Sequence, residues 1–363
     1  MKIALLNLPF DNNYGGNLQR YALVRTLQRL GHEVFHINLQ YEYRLSWRYR
    51  YPIYLKRTFQ KYFLRRDQVV FLEKKRNEEL KQKNFNALIF YEKYIPHTAL
   101  VYSKCEIKRI IEKEQFDAYI VGSDQVWREK MATMIGIKGY FLDFVDSNSS
   151  KRVAYAVSLG SKGEGYSDNV VDDLGALYSR FTAVSVREDF ALNTLDDLGW
   201  SSPKPKLVLD PTLLLKGEDY SEVINRNEND LEVRNPYVFC YILDKPANFE
   251  DYISVYSKNR ECEFIIRTLA DNDTIESWLS YIKNAKYVVT DSYHGCVFSI
   301  LFQKPFVFLG NERRGNARVD SLLKLLHIDK NQTEDYDKDQ VAERINELRD
   351  YSLSFLREAL EGE

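Results

Sequence analysis

The chain has 363 residues, 44% of them hydrophobic and 14% aromatic, enough for packed cores and too long for one ordinary core, so two domains are expected. Its formal net charge of −2 argues against a general nucleic-acid binder. Four cysteines (Cys105, Cys240, Cys262 and Cys296) lie far apart without metal-ligand or redox spacing, so no metal site and a reducing, cytoplasmic setting are expected.

Residues 2–8 read as a buried strand and not a signal peptide, because the apolar run is short and lacks a cleavage site. No apolar run reaches membrane-spanning length. Residues 11–16 read as a flexible polar loop, with a helix from about Asn17 closed by Gly31, then a strand over 34–37. Gly15 and Gly16 permit close backbone approach to a ligand, although no dinucleotide fingerprint is present. Asn12, Asn13, Asn17 and Gln19 suit recognition of hydroxyls, as in a sugar, with Tyr14 in the same stretch; the competing reading is an ordinary turn that needs glycine.

Residues 44–66 hold eight basic residues and no acid, interleaved with Trp47, Tyr49, Tyr51, Tyr54, Phe59, Tyr62 and Phe63. This suits a peripheral contact with an anionic membrane; equally, it suits a solvated helical insertion whose aromatics pack on the domain. The insertion spans about 44–95, with 73–83 as helix or connection. Residues 116–122 are a buried strand ending in Ser123, Asp124 and Gln125, and 140–144 and 153–158 continue the strand pattern. Polar turns after successive strands point to one cleft lined by several loops.

A second domain is expected from 181, opening with the strand 181–186. Arg187 follows that strand and suits a carboxylate or phosphate, or an ion pair with Glu188 or Asp189. A helix over 189–198, a strand at 206–209, a turn at Asp210-Pro211 with a structural aspartate, strands at 238–243 and 264–267 and a helix at 274–283 follow.

Residues 284–310, NAKYVVTDSYHGCVFSILFQKPFVFLG, carry a strand, a turn at Asp291, Ser292 and Tyr293, a helix from His294 that Pro305 stops, and a further strand. The helix head attracts anions, and Asp291 or Ser292 can cap it. His294 lies in that first turn, where the helix field lowers its pKa and a bound phosphate would raise it. It is a candidate proton donor or, alternatively, a histidine that hydrogen-bonds a neighbouring loop. Arg313, Arg314 and Arg318 follow the next strand and can close on an anion held at His294. Residues 341–360 read as a helix pair that packs back across the domains.

Taken together, NYGGNLQRYAL, VGSDQVW, YFLDFV, RVAYAVSLGS, SVRED, LDPTLLL, the 284–308 segment and ARVDSLLKLL resemble the polysaccharide pyruvyl transferase family over nearly the whole chain. The resemblance implies an α/β fold of two Rossmann-like domains facing a cleft, a GT-B-like architecture, with residues 1–180 on the acceptor side and 181–363 on the donor side. It implies transfer of the pyruvyl group of phosphoenolpyruvate onto two hydroxyls of a sugar in a surface polysaccharide or its precursor. The products are a pyruvate ketal and phosphate.

Phosphoenolpyruvate is then a co-substrate, and no cofactor is expected. The acceptor would be a sugar, an oligosaccharide or a lipid-linked glycan, with the protein in the cytoplasm or peripheral at the inner face of the cytoplasmic membrane. His294 matches the family histidine near the donor, and Arg187 an arginine that binds it. Asp291, Ser292, Tyr293, Gly295 and the three later arginines complete the expected donor site. Residues 12–17 (including Gly15 and Gly16) with 123–125 form the acceptor site. Ser292 stands where some members carry an arginine, which leaves one cation fewer. Two other readings use the same fold: a glycosyltransferase using a nucleotide sugar, and a non-catalytic glycan-binding protein of polysaccharide assembly.

Overall fold

A computed structural model describes residues 1–146, 150–160, 165–224, 236–246, 249, 253, 262–311 and 316–362. Two parallel sheets organise it. The first contains β1 (Lys2–Leu6), β2 (Glu33–His36), β3 (Ala118–Val121), β4 (Lys151–Val157), β5 (Ala183–Val186) and β6 (Lys206–Leu207), in the order β2-β1-β3-β4-β5-β6. The second contains β7 (Tyr237–Tyr241), β8 (Glu263–Arg267), β9 (Tyr287–Thr290) and β10 (Phe306–Phe308), in the order β10-β9-β7-β8. The strands β1, β3, β4 and β7 are almost wholly buried, so they read as unbroken apolar runs, as strands covered by helices on both faces do.

The helices of the first part are α1 (Tyr14–Arg29), α2 (Trp47–Tyr62), α3 (Leu72–Tyr94), α4 (Lys104–Glu114), α5 (Gly136–Tyr140), α6 (Asp168–Tyr178), α7 (Asp189–Asp197) and α8 (Gly217–Ile224). The second sheet is served by α9 (Ile275–Asn284), α10 (Tyr293–Leu301) and α11 (Ala317–Leu325). The last helix, α12 (Lys338–Glu361), returns to the first sheet. There Ser352 Oγ accepts from Leu209 N at 3.0 Å, Arg349 Nε donates to Leu213 O at 2.9 Å, and Phe355 packs on Tyr155.

The structure corrects several expectations. β5 and β6 belong to the first sheet, so the change of sheet falls after Leu207 and not at 180. Residues 140–144 are not a strand: they end α5 and form turns, where Phe141 stacks on Trp127 at 4.5 Å. Burial on all sides hides the period that separates helix from strand there. Residues 341–360 lie in one helix, not a pair. Helix α1 starts at Tyr14, three residues earlier than expected, because Asn13 caps it: its Oδ1 accepts from Gly16 N at 3.2 Å. Gly15 and Gly16 are therefore in a helical first turn and not in a loop.

The two sheets share one hydrophobic core, in which Leu5 and Leu18 belong with Phe239, Trp278, Phe298 and Leu356. Tyr14, at the head of α1, packs its ring 5.9 Å from Tyr241 and 5.5 Å from Trp278, both in the second sheet's layer. This fixes the head of α1 against the second domain.

Candidate active site

The carboxyl ends of both sheets meet in a cleft, and α1 and α10 point their first turns into it. At the head of α10, Ser292 is the cap: its Oγ accepts from Gly295 N at 3.4 Å, while its own amide donates to Thr290 Oγ1 at 3.0 Å. The amides of Tyr293 and His294 have no preceding helical carbonyl, so they add to the anion-attracting end of the helix. Gly295 permits a tight approach to β9; a Cβ there would lie 2.3 Å from Thr290 Oγ1.

His294 is nearly buried, and Gly15 of the opposite domain lies against its ring. A Cβ at Gly15 would stand 1.9 Å from Nδ1. On the other side, Nε2 lies 4.0 Å from Asp210 Oδ1. Burial pushes the His294 pKa down to about 4, with Asp210 pulling the other way. The depression expected at the helix head is present, and its main cause is loss of water.

Asp210 is the residue around which the first-domain side of the site is built. Its Oδ2 accepts from Arg187 Nη1 at 2.7 Å and Gln19 Nε2 at 2.6 Å, and its Oδ1 accepts from Thr212 Oγ1 at 2.7 Å. Burial favours the neutral acid, but Arg187, His294 and the Thr212 bonds together hold the carboxyl below its ordinary value. Arg187 also donates through Nε to Glu188 at 2.9 Å and through Nη2 to Asp124 at 3.3 Å. Burial opposes its charge, yet Glu188 and Asp210 raise its pKa well above the ordinary range. Tyr293 lies between two guanidiniums, with Arg187 Cζ at 5.0 Å and Arg318 Cζ at 5.9 Å from its ring centre.

A cavity of about 150 Å³ opens between these groups, lined by Gly15, Asp124, Gln125, Tyr293, His294 and Arg318 among others. The structure thus brings together His294, Arg187, Tyr293, Arg318, Asp124, Gln125 and Gly15. Gln125 Oε1 also accepts from Arg128 Nη1 at 2.7 Å.

Other expected ligand contacts are engaged inside the protein. Asp291 takes Leu243 N at 2.7 Å, Asp244 N at 2.9 Å and Asn311 Nδ2 at 2.7 Å, so it ties the loops after β7, β9 and β10 together. Asn17 is fully buried and bonded to Asp11 O, Asn13 O and Arg20. Ser123, also fully buried, donates to Ala156 O at 3.0 Å and accepts from Gln19. These two side chains shape their loops from within and do not line the cavity. Asn12 Nδ2 points at Leu269 O across the domains at 3.5 Å. Gly16 has ordinary van der Waals space. Arg313 and Arg314 lie outside the described residues. Gln19, expected to recognise hydroxyls, is instead buried and bonded to Asp210 and Ser123. Asp210 holds more than the single structural bond expected of it, and it follows a strand as Asp124 and Arg187 do.

Two Rossmann-like domains with a cleft between their strand ends define the GT-B class of folds, and solved structures of that class superpose on the chain. UDP-GlcNAc 2-epimerase from Neisseria meningitidis, bound to UDP-GlcNAc, aligns with 99% of this chain and 94% of its own at 10% identity, with a TM-score of 0.50. The Methanocaldococcus jannaschii UDP-GlcNAc 2-epimerase aligns with 97% of this chain and 100% of its own at 14% identity, with a TM-score of 0.51. At such identities the likeness is one of fold. No curated protein matches in sequence. The sequence model of polysaccharide pyruvyl transferases matches residues 13–313, and the chain belongs to that family. No helix among the described residues is long and apolar enough to cross a membrane, and no cluster of ligand side chains among them suits a metal.

Proposed function

We propose that the protein transfers the pyruvyl group of phosphoenolpyruvate to two hydroxyls of a sugar in a surface polysaccharide or its precursor. Family membership supports the reaction class, and the buried His294 at the head of α10, facing Asp210, is the observation that carries the mechanism. The donor bears about three negative charges, which the helix-head amides and Arg318 would meet. Arg318 stands beside Tyr293 and supplies positive charge near Ser292, where an arginine is missing. Arg187 acts first as a positioning residue, since its three faces hold Asp210, Glu188 and Asp124. Nη2, whose 3.3 Å bond to Asp124 is the longest of the three, is the group that would turn to a donor.

With a pKa of about 4, His294 alone is neutral near pH 7. A trianionic donor favours imidazolium, so the acid form loads with the substrate. His294 gives a proton to the methylene carbon of phosphoenolpyruvate, leaving an oxocarbenium-like centre at the neighbouring carbon. One sugar hydroxyl adds there and passes its proton back to His294. The carbon–oxygen bond to phosphate then breaks, the second hydroxyl closes the ketal, and its proton leaves with phosphate. One donor and one diol give one ketal and one hydrogen phosphate. Asp124, Gln125 and Asn13 line the same cavity and would meet the acceptor.

The test is phosphate release from phosphoenolpyruvate with glycan acceptors, alongside the thermal shift that phosphoenolpyruvate produces. Wild type should show both, His294→Gln should keep the shift and lose turnover by roughly 10²–10⁴-fold, and Arg318→Ala should lose the shift. A shift with uridine nucleotides and none with phosphoenolpyruvate would overturn the proposal in favour of a glycosyltransferase.

A further inference from the structure

Helix α2 is turned inside out. None of its residues is buried, and one stripe of its apolar side chains faces away from the protein. Tyr51, Leu55, Phe59 and Tyr62 fall at i, i+4, i+8 and i+11, one continuous face of a helix, and are 76%, 72%, 52% and 68% exposed. Phe63, just past its end, is 74% exposed and stacks on Phe59 at 5.0 Å.

The opposite side of the helix is fastened. Arg57 makes a two-pronged bond to Glu73 of α3 at 2.8 and 2.9 Å, and Tyr54 packs edge-on against Phe71 at 5.0 Å. Beneath this, Asn77 of α3 exchanges two bonds with the backbone of Tyr43. Asn86 of α3 in turn donates to Asn272 O of the second domain at 2.6 Å. The outward aim of the stripe is therefore set by tertiary contacts. A contiguous exposed apolar face of this kind marks an interaction surface.

Its charge says what covers it. Arg48, Lys56, Lys61, Arg65 and Arg66 border the stripe, and none of them makes an ion pair among the described residues. The whole chain carries −2, yet residues 44–66 contain eight basic residues and no acid. A second copy of the chain would bring like charges together around the stripe. A nucleic acid would match the charge and leave Leu55 and Phe59 without an apolar partner. An anionic bilayer surface matches both, with headgroups for the cations, the acyl boundary for Leu55 and Phe59, and the interface for the tyrosines.

We propose that α2 docks the protein onto an anionic lipid surface, with its Tyr51–Leu55–Phe59–Tyr62 face lying in the interface plane. This goes beyond the transfer reaction and does not depend on it. The full chain is mixed with vesicles of pure phosphatidylcholine or of equal parts phosphatidylcholine and phosphatidylglycerol, and bound protein is measured by flotation. Wild type should float with the anionic vesicles only, and should release at about 1 M salt, where screening shortens to about 3 Å. The triple variant Arg48→Glu, Lys56→Glu, Lys61→Glu should partition on the order of a hundredfold more weakly. Leu55→Glu with Phe59→Glu should also detach while melting as wild type does, since both sites are exposed. Failure of wild type to bind anionic vesicles would overturn the proposal. So would full binding by the Leu55→Glu, Phe59→Glu variant, or a wild-type dimer that those two changes split and that ignores vesicles.

Discussion

Gly15→Ala tests how closely the two domains meet. The added Cβ would lie 1.9 Å from His294 Nδ1, 2.4 Å from Cγ and 2.6 Å from Cε1. Ordinary contact needs about 3.4 Å or more, so either the ring or the head of α1 must move by on the order of 1.5 Å. The ring has little room, because Tyr293 packs edge-on against it at 5.0 Å and Asp210 faces its other nitrogen. The head of α1 is held by Tyr14 in the Tyr241 and Trp278 cluster. Overpacking of this kind costs about 1–3 kcal/mol, against about 0.5–1 kcal/mol gained from replacing a helical glycine. The net expectation is a loss of up to about 2 kcal/mol, read as a lower urea midpoint at unchanged slope. The decisive comparison is the same change in a His294→Ala background, where the obstacle is gone. There Gly15→Ala should be neutral or mildly stabilising. An equal loss in both backgrounds would refute the idea that the imidazole is what demands glycine at this position.

Arg187→Met leaves Asp210, Glu188 and Asp124 facing one another around an uncharged side chain, and should cost about 3–5 kcal/mol in urea unfolding. Loss of less than 1 kcal/mol would mean that the carboxylates are already neutral. His294 gives a pH signature: its native pKa of about 4 lies below the ordinary 6.5, so the unfolded chain takes up the proton first as pH falls. The stability that its neutral burial contributes is complete above pH 6.5 and is lost as pH falls to about 4, by on the order of 3 kcal/mol. His294→Gln should therefore lose less stability than wild type between pH 7 and 4.5, and parallel curves would contradict the assignment. Asp291→Ala removes the carboxylate acceptor of Leu243 N and Asp244 N and one of the two acceptors of Asn311 Nδ2, and should lower stability by about 1–3 kcal/mol through the loops it ties. A variant as stable as wild type that has lost only donor affinity would instead return Asp291 to the ligand site.

Much of the fold was legible because buried parallel strands read as apolar runs and their polar turns mark one edge. That rule alone reached Asp124, Arg187 and His294, which the structure does gather. Long-range partnership was not legible: Gln19 and Asp210 bond across 191 residues, and nothing near Gln19 signals its partner. The rule also misled. Asn17 and Ser123 are polar residues beside a ligand edge, and polarity alone does not say whether a side chain faces the cleft or satisfies the loop beneath it. The early start of α1 was hidden because two glycines, poor helix formers, occupy its first turn, where the proximity of His294 leaves no room for a side chain at Gly15.

The return of α12 to the first sheet sets the order in which the chain can mature. Its Ser352 satisfies the amide of Leu209, 143 residues earlier, and Phe355 covers Tyr155. During synthesis the six strands of the first sheet emerge early, but this flank stays uncovered until α12 leaves the ribosome. The first domain therefore cannot finish folding as an independent N-terminal unit, in contrast to the usual vectorial pattern. A stop codon placed before α12 would leave a hydrophobic flank exposed on nascent chains whose cleft residues are all intact, making such truncations substrates for chaperones and proteases.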